Sequence, residues 1–279
     1  MLNKRTVNHT VHGECLYLDN GIVEIGVPLS FGIRIAHLSF VGEENVFFVQ
    51  PKDMKTFTTE DGWRLRGGHR LWLAPEGESD YYPDNDPIEY KTAGETLILT
   101  QKNDPFLNVV KSMEITLKGN KVEVTHRVKN TGKSRRIALW ALTVMKGGGI
   151  LSIPLPEREG GFDPLVNISA WDYTDLSDER LKFGKKEIKI RQGVGKSNLK
   201  IGVGHPAGAV SYKNGGTVFK KSIPLYKNKE YADGGVSFET FISDYMTEIE
   251  GLSPLITLSP DKTATYRESW ELVRSKKGE

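Results

Sequence analysis

Two short stretches hold the residues whose types and spacing could do chemistry. The first is "YMTEIEGLSPLITLSP", where Glu248 and Glu250 stand two apart. On a strand, residues two apart share a face, so both carboxylates point the same way, with α-carbons roughly 6–7 Å apart, and Ile249 points to the core. A carboxylate pair on one face can do acid/base work or orient hydroxyls. Like charges held together also drive their pKa values apart. The second stretch is "LRGGHRLWLAPEG", Leu65 to Gly77. Arg66, His69, Arg70 and Glu76 offer donors, acceptors and charge there. Trp72 offers an apolar plane suited to a sugar ring or to a core, and Gly67-Gly68 allows a special turn or a close backbone approach.

Weaker candidates lie elsewhere. "FKKSIPLYKNKEYADGGVSFET" brings Lys220, Lys221, Asp233 and Glu239 near a Gly-Gly turn, where ordinary surface charge is the competing reading. His205 precedes Pro206 at an expected strand end, a place for a site or for a capped loop histidine. "RQGVGKSN", Arg191 to Asn198, imitates a phosphate loop. That motif needs a glycine five residues before Gly195, where Ile190 stands, so the segment is read as a turn. The six histidines form no HExxH or i,i+2 pair, and no CxxC or G-x-S-x-G occurs. No metal or cofactor is expected.

Strands must position these residues. "GNKVEVTHRVKNTG" alternates, with Val122, Val124, His126 and Val128 on one face. "NVVKSMEITLKGN" before it has the same period, so a hairpin closing at Gly119-Asn120 is predicted. "CLYLDNGIVEIGV" reads as two strands around Asp19-Asn20-Gly21. "RRIALWALTVM" is a continuous apolar run, expected as a central strand buried on both faces. Six further strand-like segments bring the total to about twelve or more short strands. Tyr173 to Phe183 is the best candidate for a short helix, and Lys146 to Pro164 reads as a long loop. The pattern predicts an all-β sandwich of large, mostly antiparallel sheets, as a single domain over residues 1–279.

Composition bounds the function. The chain of 279 residues carries 38 basic and 36 acidic side chains, a formal charge of +2, so it has no electrostatic footprint for nucleic acid. No long apolar run suggests a membrane span. The single cysteine, Cys15, forbids an intrachain disulfide, and the N-terminus has no signal-peptide core, so a cytoplasmic location is expected. The tail Arg274 to Glu279 reads as a frayed end.

"GGHRLWLAPE" (Gly67 to Glu76), "NTGKSRRIALWALTVM" and "TEIEGLSPLITLSPDKTATYRESWEL" (Thr247 to Leu272) together resemble the galactose mutarotase-like superfamily. The likeness is greatest to its branches with a domain of unknown function. The resemblance implies a β-supersandwich and a small carbohydrate as partner. Aldose 1-epimerases of that superfamily exchange sugar anomers with a glutamate base and a histidine acid. The resemblance places Glu248 as base, with Glu250 as the alternative one repeat away. The acid's expected place holds Trp140 or Ala141, and an indole cannot act as a general acid. His69 or His205 would have to substitute, and the resemblance puts His69 and Arg70 in one cleft with Glu248. The alternatives are a carbohydrate-binding protein without turnover and a sugar-processing enzyme of another class, such as a lyase, on the same fold.

Overall fold

A computed structural model describes residues 2–157, 160, 162, 164–193 and 196–275. The turn expected over Arg191 to Asn198 falls partly outside the described residues, at 194 and 195. So does the tail beyond 275.

The described residues form 21 strands, and every pairing between these strands is antiparallel. They build a ten-stranded sheet, a seven-stranded sheet and a four-stranded N-terminal sheet. The large sheets face each other. Ile249, Ile201 and Phe238 of the seven-stranded sheet share one core with Val124, Ile115, Phe219 and Trp270 of the ten-stranded sheet. Leu18 and Ile25 of the small sheet join the same core. All-β sandwich architecture follows directly from this period-two patterning.

The predicted hairpin forms from Val109–Lys118 and Lys121–Asn130, and Val122, Val124, His126 and Val128 are all buried on its inner face. Gly13–Asp19 and Val23–Pro28 flank Asp19-Asn20-Gly21 as expected. The apolar run becomes the twelve-residue strand Arg135–Lys146, with nine consecutive buried residues. Two expectations fail. Tyr173 to Phe183 holds turns and the strand Leu181–Phe183, not a helix, because Asp175 and Asp178 accept bonds from nearby backbone N–H groups and turn the chain. The long loop Lys146 to Pro164 contains the strand Ile150–Pro154, whose Leu151 and Ile153 alternate into the core. Four of its other residues (158, 159, 161, 163) lie outside the described residues.

The site depends on three neighbouring strands. Arg135–Lys146 lies between Gly68–Ala74 and Met246–Leu252. The register sets Arg70 opposite Leu142 and Leu142 opposite Glu250, and it sets Trp72 opposite Trp140. Directly opposed residues share a face, so Arg70, Trp72, Trp140, Leu142, Glu248 and Glu250 all project from the outer face of this sheet. The intervening residues His69, Thr143 and Ile249 project inward.

Candidate functional site

The outer face of the seven-stranded sheet forms a cleft of about 310 Å³. Its walls are aromatic: Trp63, Trp72, Tyr81, Trp140, Tyr173 and Phe241. Arg70, Glu76, Lys200 and Glu248 supply the charge in its lining. Of the carboxylate pair, Glu248 reaches the cleft with 8% exposure, whereas Glu250 is fully covered. Trp140 explains the cover: its indole Nε1–H donates to Glu250 Oε2 at 2.9 Å. The tryptophan that stands near the expected acid position therefore anchors the second glutamate.

Lys200 links the remaining acids. Its Nζ lies 2.9 Å from Glu239, 3.7 Å from Glu250 and 3.9 Å from Glu76. It also sits over the rings of Trp140 and Trp171, at 4.5 and 4.4 Å. Arg70 donates from Nη1 to the Leu65 carbonyl at 3.0 Å, and its guanidinium lies 4.3 Å from the Trp72 ring centre.

Burial governs the charge states here. It pushes the Glu248 carboxyl up to about 7, aided by the Glu250 charge and opposed by Arg70 and Lys200. Burial raises the Glu250 carboxyl too, against Lys200 and the Trp140 bond. Glu239 is held well above the carboxylate range, burial outweighing Lys200. For Lys200, burial works to lower the pKa, but Glu250 and Glu239 outweigh it and hold the ammonium protonated. Glu248 Oε1 is buried and has no hydrogen-bond partner among the described residues.

A second charged cluster lies on the inner side of the same sheet. His69 Nδ1 contacts Thr143 Oγ1 at 2.9 Å, and its Nε2 lies 3.0 Å from His126 Nε2. Lys221 Nζ lies 3.2 Å from Glu268 Oε2 and donates to the carbonyls of Ala141 and Ile249. The Trp270 indole N–H donates to Glu268 Oε1 at 2.8 Å.

The ligand atoms of His69, His126 and Glu268 lie within 4.8 Å of one another, a spacing that a divalent ion could bridge. The chemistry does not fit one. Metal on both Nε2 atoms would require a proton on His126 Nδ1, which is buried and has no acceptor among the described residues. The Lys221 ammonium beside Glu268 would add a further buried positive charge. A hydrogen-bond network fits better: His126 Nε2–H donates to His69 Nε2, and His69 Nδ1–H donates to Thr143.

The sequence-derived candidates therefore separate. Arg70, Trp72, Glu76 and Glu248 surround the cleft. Glu239 and Glu250 lie beneath it, tied to Lys200. His69 does not share the cleft with Arg70, because the strand Gly68–Ala74 is regular and adjacent side chains face apart. Gly67 and Gly68 do not rotate the strand. They sit where the chain crosses closely, and a Cβ would come 2.0 Å from the Phe48 carbonyl oxygen and 2.4 Å from that of Ile35. Lys221 also belongs to the inner cluster, since it shares the inward face of Thr217–Ser222 with Phe219. Asp233 occupies a turn with φ +52, and its carbonyl accepts from the Ser169 hydroxyl. His205 lies in a turn against the Tyr231 ring, and no histidine lines the cleft among the described residues.

Lys200, Trp63, Tyr81 and Tyr173 were not singled out by sequence. Lys200 had one signal, a lone charge inside the apolar strand "NLKIGVG". The others come from segments with no telling period.

Comparison with known structures agrees with this architecture. The YeaD protein of Salmonella typhimurium superposes with a TM-score of 0.61 at 11% identity, covering 98% of this chain and 94% of that one. The Slr1438 protein of Synechocystis sp. PCC 6803 gives 0.60 at 11% identity, covering 94% and 96%. A galactose mutarotase-like protein of Lactobacillus casei gives 0.58 at 10% identity, covering 97% and 100%. No family model and no curated protein matches the chain. The superpositions span nearly the whole of each chain, and with the sheet order described above they identify a galactose mutarotase-like fold.

Proposed function

We propose that this protein binds a monosaccharide-sized carbohydrate in the aromatic cleft, with Glu248 accepting a hydroxyl's hydrogen. One observation carries the reading. A buried carboxylate oxygen without a partner, Glu248 Oε1, belongs to a side chain that lines a cleft walled by tryptophan and tyrosine. Sugars present apolar C–H faces to rings and hydroxyls to carboxylates, and such pockets combine apolar walls with a few placed polar groups. A free carboxylate oxygen in such a place is costly unless a ligand satisfies it.

Anomer interconversion is the second reading. A carboxyl poised at about 7 can take and return a proton near neutral pH. The ring oxygen would need a donor, and the cleft offers the Lys200 ammonium and the Tyr81 and Tyr173 hydroxyls rather than an imidazole. All three are held above their ordinary range: Lys200 by Glu250 and Glu239 against burial, the two tyrosines by burial foremost. They can donate hydrogen bonds but transfer a proton reluctantly. Binding is therefore the first reading and turnover the second.

The test is a titration of the protein with a panel of neutral, acidic and amino hexoses, followed by tryptophan fluorescence and calorimetry. At least one should bind. Glu248→Gln should weaken it roughly ten- to a hundredfold, the worth of a charge-assisted hydrogen bond. Magnetisation-transfer NMR on the bound sugar reads anomer exchange. If no hexose perturbs the tryptophans or releases heat, the carbohydrate reading falls.

A further inference from the structure

The outer face carries more carboxyl groups than cations. Four acids project there, Glu76, Glu239, Glu248 and Glu250, against two cations, Arg70 and Lys200. Lys200 serves three of the four acids. Arg70 is directed to the Leu65 carbonyl and stacked on Trp72. That leaves Glu248 as the acid without a cation in contact, and its buried Oε1 has no partner among the described residues. Lys200 is engaged by acids of the fold, whereas Arg70 is bonded through Nη1 alone and keeps a buried Nε without a partner among the described residues. The aromatic walls that suit a sugar ring also attract positive charge to their faces.

We infer that the ligand of this cleft is an amino sugar whose ammonium group pairs with Glu248. The inference rests on the carbohydrate reading above and narrows it to one class. An ammonium would satisfy the orphaned oxygen with a charge-assisted bond. A neutral hexose offers only a hydroxyl at that point, and a phosphorylated or acidic sugar adds repulsion. Because burial and Glu250 push the Glu248 carboxyl up to about 7, the ammonium also draws out its charged form. The groups that set this equilibrium are Arg70, Glu76, Lys200, Glu239, Glu250 and Tyr81.

The experiment compares D-glucosamine and D-galactosamine with D-glucose, D-galactose, N-acetyl-D-glucosamine and D-glucose 6-phosphate by calorimetry at pH 7.0. One of the amino sugars should bind roughly ten- to a hundredfold tighter than its neutral and N-acetylated counterparts, the usual gain for a hydrogen bond to a charged group. The phosphate ester should bind most weakly. Glu248→Gln, with its fold checked by circular dichroism, should bring amino and neutral sugars to within about threefold. Lowering the pH to 5 should shrink the preference in the wild type. If a neutral hexose binds as tightly as its amino analogue, or Glu248→Gln keeps the preference, the inference is overturned while the carbohydrate cleft stands. If the phosphate ester binds tightest, the charge argument is overturned. If no sugar binds, both readings fall together.

Discussion

The two faces of one sheet treat the same kinds of residue in opposite ways. On the inner face Glu268 is enclosed, yet it sits against Lys221, accepts from Trp270 and faces two imidazoles. Burial alone would raise its pKa, but Lys221 and His69 outweigh burial and hold it well below the carboxylate range. On the outer face Glu248 is nearly as buried but lacks a contacting cation, and its carboxyl rises to about 7. Burial is therefore not what separates these two acids. Between these two acids the difference is the counter-charge, which the fold supplies in contact at Glu268 and not at Glu248.

The largest expected effect comes from breaking the closed side. Lys221→Met strands the Glu268 charge and should lower unfolding stability by about 3–5 kcal/mol in urea titrations. The double change Lys221→Met with Glu268→Leu should recover most of that loss, because an apolar pair of similar volume replaces the ion pair. Recovery of nothing would mean that the histidine network, rather than the ion pair, holds this centre.

The next effect separates the two faces by pH. The Glu248 carboxyl is raised in the folded state, so its protonated form gives stability fully present below the ordinary glutamate pKa of about 4.5. That contribution is lost as pH rises through about 7. Glu248→Gln should therefore be more stable than the wild type at pH 8 by roughly 2–3 kcal/mol, and about equal to it at pH 4. Glu268 has the opposite sign. Its lowered pKa stabilises above the ordinary glutamate range, and the contribution is lost as pH falls below it. Thermal unfolding across pH 3–9 should show both limbs in the wild type and a shallower alkaline limb in Glu248→Gln, where the raised Glu239 and Glu250 still contribute.

Much of this arrangement was legible in the sequence. The spacing of Glu248 and Glu250 put both on one face, and the structure has them so, with Ile249 in the core. Alternation likewise gave the hairpins and the buried central strand. What spacing could not give was the partner across the sheet. The resemblance puts His69 in one cleft with Arg70, but the strand is regular and the two face apart, while Gly67 and Gly68 answer to Phe48 and Ile35, which are distant in sequence. Lys200 and Glu239 meet through the pairing of Leu199–Val203 with Phe238–Ile242, a long-range register that no local period encodes. Trp140 was recognised as unfit for acid catalysis, but its bond to Glu250 depends on a residue 110 positions away.

Two smaller effects sharpen the contrast within the outer face. Trp140→Phe removes the donor to Glu250 and should cost about 1–2 kcal/mol in stability, as for a buried acceptor left unpaired. Tyr81→Phe removes a hydroxyl that bonds the more exposed Glu76, and unfolding stability should change by less than about 0.5 kcal/mol. A larger loss at Tyr81 than at Trp140 would show that the cleft's rim, not its floor, organises the site.

The most direct measurement is an NMR pH titration of glutamate side-chain carboxyl carbons, assigned by Glu248→Gln and Glu268→Gln. The Glu248 resonance is expected to titrate near pH 7, and the Glu268 resonance to stay in its charged position down to the acid limit of the folded state. A Glu248 resonance that titrates near the ordinary value of about 4.5, or a Glu268 resonance that titrates near neutrality, would contradict the difference between the open and the closed face.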